Sequence, residues 1–349
     1  MTDPTNVLVV GGGLAGVRTA ERLRARGYSA GITLLAAEPH APYDRPPLSK
    51  QVLRGGTDAT TLRSAAELAE LGVDVRLGDP ATGLDPAARS VVTASGAKYA
   101  YDAVVIATGA RPRRLPDLGG LVLRTIEDAH ELRGRLSPGS TLTVIGAGLI
   151  GCEVAAGARA LGVEVDLVDL APGPMVRVVG PTVATHIAQL HRDHGVRMHL
   201  GTRVTRDADG GLRTEDGTLL GSGTVLQAIG AEPVTDWLTG SGLPLCDGVV
   251  CDADGRAAEG VYAVGDVARW DGHRSEHWTA GVHQADHVAA VLLGRPPVPA
   301  EAAYWWSDQY DVKIQGIGSP GAGDRVDLVV WGPRQRPVAV YSDAGTTTA

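Results

Sequence analysis

Short apolar runs alternate along the chain with longer stretches whose apolar positions recur at helical spacing. Val7-Leu8-Val9-Val10 reads as a strand, residues 14–26 as a helix stopped by Gly27, and Gly31-Ile32-Thr33-Leu34-Leu35 as the next strand. The same order returns later: strand 141–145, a helix over about 149–161 stopped by Gly162, and the strand Val165-Asp166-Leu167-Val168. Apolar runs bounded by turn residues fit strands buried on both faces, and a helix between two of them makes a βαβ unit. The run ending Ile106-Ala107-Thr108-Gly109 is paralleled by Ala228-Ile229-Gly230, each a buried strand closing in a tight turn. Residues 61–71 and 181–194 predict further helices, and 73–106 predicts short strands. The adjacent prolines in Arg45-Pro46-Pro47-Leu48-Ser49-Lys50 predict a rigid loop. Residues 110–120 read as a linker and 296–303 as a second boundary, and 312–317, 325–331 and 338–341 look like strands.

The pattern places a glycine cluster at each strand–helix junction: Gly11-Gly12-Gly13-Leu14-Ala15-Gly16 and Gly146-Ala147-Gly148-Leu149-Ile150-Gly151. In G-x-G-x-x-G the glycines permit a tight turn and close approach to a pyrophosphate, and the helix N-terminus favours its negative charge. Two such loops imply two dinucleotides and electron passage between them. Glu38 lies about 20 residues past the first loop, where an acid accepts ribose hydroxyls. Asp169 ends the matching strand of the second unit. An acid there accepts the ribose hydroxyls of NADH and repels the 2′-phosphate of NADPH, and Leu170-Ala171-Pro172 offers no arginine to that phosphate.

Composition narrows the class. The chain has 349 residues, 44% hydrophobic and 21% charged, which suits two or three globular domains. A net charge of −8 argues against nucleic acid as a partner. No apolar stretch is long enough for a membrane span, and the first residues do not resemble a secretory leader. Three cysteines make no disulfide framework, so a cytoplasmic location is expected. Cys246 and Cys251 read as small apolar residues around a turn, without a nearby activating base, and Cys152 as helix packing. Histidines cluster at His186, His191, His194 and His199, and again at His277, His283 and His287, but no carboxylate or cysteine completes a metal site. No metal is expected.

Several stretches resemble one family in order: GGGLAG, DRPPLSK at 44–50, IATGARPRRLP at 106–116, LRTIEDA at 123–129, GAGLIGCEVAA at 146–156, AIGAEP at 228–233, GVYAVGDVARW at 260–270 and WWSDQY at 305–310. The chain is similar to FAD-dependent, NADH-using ferredoxin reductases of the oxygenase-coupled type, the putidaredoxin reductase and biphenyl dioxygenase reductase group within the glutathione-reductase-like flavoproteins. The resemblance implies an α/β fold of two Rossmann-like domains, one for FAD (1–112 and 235–297) and one for NAD (113–234), plus a small, shortened C-terminal α+β domain (298–349). Relatives in this group usually continue further, so completeness of the ferredoxin-facing domain is the weaker expectation.

By resemblance, Gly11, Gly13, Leu14, Ala15, Gly16, Glu38, Arg45, Lys50, Ala81, Thr108, Gly109, Arg124, Gly265, Asp266 and Trp278 hold FAD. Ala81 stands where the family carries a larger apolar residue. Gly146, Gly148, Leu149, Ile150, Gly151, Glu153, Asp169 and Gly230 hold NAD. Lys50 resembles the lysine beside flavin N5, where an ammonium stabilises negative charge on the reduced ring. Glu153 resembles the glutamate that meets the nicotinamide carboxamide, and an ion pair with Lys50 is expected. Trp305 and Trp306 are candidates for the nicotinamide side. The implied reaction passes a hydride from NADH to FAD, then single electrons to a small acidic ferredoxin serving an oxygenase or cytochrome P450. Arg111, Arg113, Arg114, Arg334 and Arg336 are candidate steering charges. Two alternatives stay open: direct delivery to a small organic substrate or oxygen, and an NADH-sensing flavoprotein resembling apoptosis-inducing factor. A monomer or homodimer fits each.

Overall fold

The computed structural model describes residues 4–58, 60–207, 209–299, 302–318, 320–321, 324–331, 336–343 and 346–349. The chain forms two compact units. One comprises Met1–Asp44, Thr60–Arg111 and Ala231–Glu301, and the other Arg45–Ala59, Pro112–Gly230 and Ala302–Ala349.

The first unit is built on a six-stranded sheet in the order Arg256–Ala258, Val261–Ala263, Ala103–Ile106, Asn6–Val10, Gly31–Leu35, Val73–Arg76. All neighbours are parallel except Arg256–Ala258. Helices Leu14–Ala25 and Trp278–Leu292 pack together on one face, over Val9, Leu34, Val105 and Val264. Leu8, Val10, Val104 and Ile106 face the other way, against Leu84 and Val91. Those two belong to an antiparallel sheet of Ala81–Asp85, Ser90–Thr93 and Lys98–Ala100. Burial on both faces is why the central strands are apolar at every position rather than at alternate ones.

The second unit repeats the plan with four parallel strands in the order Arg197–Leu200, Glu164–Asp169, Thr141–Ile145, Thr224–Gln227. Both units are therefore Rossmann-like, as expected. The helix Leu149–Ala160 follows the central strand and is buried at every position from Gly151 to Ala158. The strand Tyr304–Gln309 and the turn Pro46–Ser49 pack on it. A Cβ at Gly157 would lie 3.3 Å from Leu53 Cδ2, so the small residue is what lets the 46–54 segment approach. Tyr304–Gln309 pairs antiparallel with Val312–Ile317, and Arg325–Trp331 pairs with Arg336–Asp343.

Local departures from the sequence reading have local causes. The helix expected over 61–71 is only Ala65–Glu70, because Ser64 and Glu67 form a reciprocal cap that starts it late. The helix expected over 181–194 runs Val176–Asp193 and breaks at Gly180 (φ +66°), just before Pro181. Proline suits the first turn of the second segment because its missing N–H has no helical partner there. Pro46–Ser49 is a single 3₁₀ turn for the same reason. Ile126–Arg135, opened by a Thr125–Asp128 cap, is a helix that the apolar pattern did not reveal. The expected linker over 110–120 contains the strand Ala110–Pro112 and the turn Pro116–Leu118.

Candidate functional site

In the first unit, Gly11 adopts φ +131°, and a Cβ there would sit 2.0 Å from the Ala107 carbonyl oxygen. A Cβ at Gly16 would sit 1.9 Å from the Gly11 oxygen. Both glycines are obligatory for the turn, whereas a Cβ at Gly13 would meet nothing within 4 Å. Gly13 is also the N-cap of Leu14–Ala25, and no side chain caps that helix. The result is an open helix N-terminus lined by backbone N–H groups, which suits a pyrophosphate. Thr108 Oγ1 donates to the Val234 carbonyl (2.9 Å), and the Val234 N–H donates to Gly109 (3.0 Å). Gly265 (φ +74°) lies against Ala15, and its N–H donates to Gln284 Oε1 at 2.8 Å. That fixes the turn Gly265–Val267, which carries Asp266. Glu38 accepts from the Tyr43 hydroxyl, and Trp278 Nε1 donates to Asp44 Oδ1 at 3.0 Å. Ala81 starts a strand of the small antiparallel sheet.

The second unit repeats the loop almost atom for atom. Gly146 has φ +105° with a Cβ position 2.3 Å from the Ala228 oxygen, and a Cβ at Gly151 would lie 1.9 Å from the Gly146 oxygen. Gly148 again opens on nothing within 4 Å and caps a helix without a side-chain cap. Ile150 is partly exposed beside this opening in sequence, following Leu149 at the first helical position. Asp169 is held by two backbone donors: Ala147 N to Oδ2 (2.6 Å) and Ala171 N to Oδ1 (2.7 Å). Its carboxylate thus ties the strand end to the glycine loop. Gly230 (φ +100°) accepts from the Arg113 N–H at 2.9 Å.

The second unit also gathers Arg45, Lys50, Arg124 and Glu153. Arg45 donates to the Arg124 carbonyl oxygen. Lys50 Nζ lies 2.7 Å from Glu153 Oε2 and 3.2 Å from the Pro46 oxygen. Lys50 is 9% exposed and Glu153 5%. Ser49 Oγ donates to Glu153 Oε2 at 2.5 Å and Ser307 Oγ to Oε1 at 2.8 Å. Three donors therefore converge on one buried carboxylate. A buried ion pair is poor evidence for stability, because desolvation offsets the attraction; replacing both partners by apolar residues is often neutral. Its presence here points to chemistry. A cavity of about 420 Å³ reaches the pair and is lined also by Arg54, Arg159, His194 and Tyr310.

The remaining candidates have structural partners. All three cysteines are free. Burial pushes the Cys152 thiol up and the Cys251 thiol up to about 12, so neither is a ready nucleophile. Cys246 is exposed, and Arg269 Nη1, a cation rather than a base, is 2.9 Å from its sulfur. His199 meets Asp166, His283 the Pro299 oxygen, and His287 the Val298 oxygen. The i, i+4 pair on Trp278–Leu292 thus ties down the segment that follows. Arg111 is clamped by Glu232 (2.7 Å) and Asp236, so its charge is compensated and it makes a weak steering group. Arg334 lies outside the described residues, as does the side chain of Arg336. Trp305 is buried at 6% beside Gly316, and Trp306 stacks on Tyr304. No helix among the described residues is long and apolar enough to cross a membrane.

The sequence profile of the family described as pyridine nucleotide-disulphide oxidoreductase matches residues 5–285. The chain belongs to this family. Within it, the ferredoxin reductase component of chlorobenzene dioxygenase from Cupriavidus sp. (strain PS12) is 38% identical over 340 residues, covering 92% of this chain and 83% of that protein. Putidaredoxin reductase of Pseudomonas putida is 34% identical over 350 residues, covering 93% and 83%. The solved covalent complex of putidaredoxin reductase with putidaredoxin matches with a TM-score of 0.93 at 32% identity, over 99% of this chain and 89% of that one. The family name refers to a disulphide, yet this chain carries Pro-Pro-Leu-Ser-Lys shortly after Glu38, where disulphide reductases of the superfamily carry a cysteine pair.

Sequence reasoning met Ser307, Gln309 and Tyr310 only within the WWSDQY stretch and His191 only within a histidine cluster, and gave none of them a role in the site. Trp305, Ser307 and Gln309 alternate along one strand and are all buried, so two polar residues occupy core positions that only the fold reveals.

Proposed function

We propose that this chain is an FAD-dependent NADH:ferredoxin reductase. The repeated open cradle carries the reading: two helix N-termini of the same geometry, each uncapped, each with a glycine open to a ligand. Two dinucleotides in one chain imply internal electron transfer, and the named relatives are reductases of ferredoxins. In this reading the first unit binds FAD through Gly11, Gly13, Leu14, Ala15 and Gly16, with Glu38 on the ribose hydroxyls. Asp266 would take the ribityl chain or a phosphate, and Ala81, Thr108, Gly109, Gly265 and Trp278 complete the first unit's FAD set; Arg45 and Arg124 are assigned to FAD by the family resemblance. The second unit binds NADH through Gly146, Gly148, Leu149, Ile150, Gly151 and Gly230, with Asp169 selecting it over NADPH.

When bound, FAD would supply the redox chemistry: two-electron reduction by NADH and one-electron release to an iron–sulfur acceptor. Lys50 holds a buried positive charge, which would stabilise negative charge gained by a bound flavin. Glu153 keeps that ammonium tolerable in a dry site and orients the nicotinamide carboxamide. The acceptor is a small acidic ferredoxin serving an oxygenase or cytochrome P450. Free cysteines fit a reducing compartment, and we place the protein in the cytoplasm.

The test is anaerobic rapid mixing of the flavin-loaded protein with NADH, followed by ferredoxin, oxygen or candidate metabolites. Bleaching of the flavin by NADH and fast reoxidation by ferredoxin alone are expected. Protein that cannot be made yellow with flavin, or that is reoxidised faster by a metabolite, overturns the reading.

A further inference from the structure

The geometry points to Ser307, Gln309 and His191 as positioning residues for Glu153, in an array that ends at Tyr310 on the cavity wall. This deepens the reading of Lys50 and Glu153 as the reactive pair and rests on it. Ser307 Oγ donates to Glu153 Oε1 at 2.8 Å. Gln309 Nε2 donates to Ser307 Oγ at 3.1 Å and also faces Met175 Sδ at 3.2 Å. Gln309 Oε1 lies 3.0 Å from His191 Nε2, and the Tyr310 hydroxyl 2.9 Å from His191 Nδ1. The Tyr310 ring in turn stacks on His194, with centroids 3.7 Å apart.

With the Gln309 amide oriented this way and His191 neutral, these contacts admit one assignment of hydrogens. An amide oxygen only accepts, so His191 Nε2 must carry the proton. His191 Nδ1 then offers a lone pair, and Tyr310 must donate to it. Gln309 donates to Ser307, and Ser307 spends its single hydrogen on Glu153. Every donor points toward the carboxylate, so the hydrogen bonds form one continuous line that ends on Oε1. Burial agrees: Ser307, Gln309 and His191 are each 0% exposed. Burial also holds His191 down at about 4, neutral under ordinary conditions.

The array orients and does not conduct. A proton cannot cross the Gln309 amide without converting it to an imidic acid, so the chain breaks there as a relay. Its effect is to pin Oε1, which leaves Oε2 facing Lys50 and Ser49. Three segments meet at this carboxylate, the strand Tyr304–Gln309, the helix Leu149–Ala160 and the turn Pro46–Ser49 with Lys50, and the helix Val176–Asp193 joins only through His191 and Gln309. Four buried polar side chains in an apolar setting are costly unless each is satisfied, and an apolar strand face would pack as well.

The flavin-loaded protein tests this with Ser307→Ala, Gln309→Leu and Glu153→Gln, singly and combined. Ser307→Ala is expected to slow NADH-driven flavin reduction roughly tenfold at saturation, with the half-saturating NADH concentration moving less than about twofold. Ser307→Thr should restore most of the rate. In the Glu153→Gln background, Ser307→Ala should add little, because the two act as one unit. An equal slowing in both backgrounds, or a loss of thermal stability with no change in rate, overturns the proposal. A second readout needs no turnover. Nitrogen NMR of histidine-labelled protein should show His191 neutral with Nε2 protonated, and Gln309→Leu should abolish that preference. The opposite tautomer in the wild type also overturns the proposal. If Glu153→Gln reduces at the wild-type rate, the catalytic assignment of the pair fails instead, and the NMR result decides the array by itself.

Discussion

Arg18 and Glu153 stand two residues past the last glycine of their respective loops, at matching places in two nearly superimposable turns. Arg18 is partly exposed and pairs with Glu21 one helical turn away. Glu153 is 5% exposed and receives Lys50, Ser49 and Ser307. The loops are alike because a pyrophosphate makes the same demand of any backbone: positive φ at the first glycine and no Cβ where strand and helix cross. The helices differ because their surroundings differ. In Leu14–Ala25 the buried residues are Gly16, Val17, Thr19, Ala20 and Leu23, with polar residues between. Leu149–Ala160 is enclosed on all sides from Gly151 to Ala158. A charge two residues past the loop stays at the surface on the first helix and is a buried, multiply hydrogen-bonded carboxylate on the second because other segments cover it.

The largest effect should come from the loops themselves. Gly11→Val and Gly146→Val each force a side chain to within 2.0 and 2.3 Å of a carbonyl oxygen at positive φ. Gly11→Val should yield protein without flavin, read from the ratio of visible to ultraviolet absorbance. Gly146→Val should keep the yellow colour and lose NADH binding. If both variants lose flavin equally, one dinucleotide per loop is the wrong division. The matched charges offer the next test. Lys50→Met leaves Glu153 buried without its counter-ion and should cost roughly 3–5 kcal/mol. Arg18→Met should cost less than about 1 kcal/mol. Urea unfolding of the two variants measures the contrast, and adding Glu153→Leu to Lys50→Met should recover most of the loss. Similar costs at the two sites would mean that burial is not what separates the helices. A smaller effect is expected at the strand ends. Asp169→Ala should narrow the preference for NADH over NADPH by about tenfold, a change of about 1.4 kcal/mol. It should also weaken NADH itself, since Asp169 holds the Ala147 N–H. Initial-rate measurements with both nucleotides decide it, and an unchanged ratio would remove Asp169 from the selecting role.

Much of the architecture was legible because its causes are local. Val7–Val10 and Leu142–Ile145 are apolar at nearly every position, as strands covered on both faces must be, and the glycines announce the turns by their spacing. Where local rules competed, the reading slipped: Gly180 and Pro181 suggested a later helix start, yet the helix begins at Val176 and breaks there. The site was less legible. Lys50 and Glu153 are 103 positions apart, and only the family resemblance suggested that they meet. Cys246 looked isolated until the fold brought Arg269 to it from 23 positions away.

The order of apolar runs, loop glycines and post-strand acids was enough, without coordinates, to imply two Rossmann-like units and two dinucleotides, since each signal is a constraint on neighbouring residues. Only the tertiary structure decided which polar groups share a dry interior. Ser307 reaches Glu153 across 154 positions and His191 reaches Gln309 across 118. Such contacts depend on how strands and helices pack, and a buried hydrogen bond leaves no periodic trace in the chain that forms it.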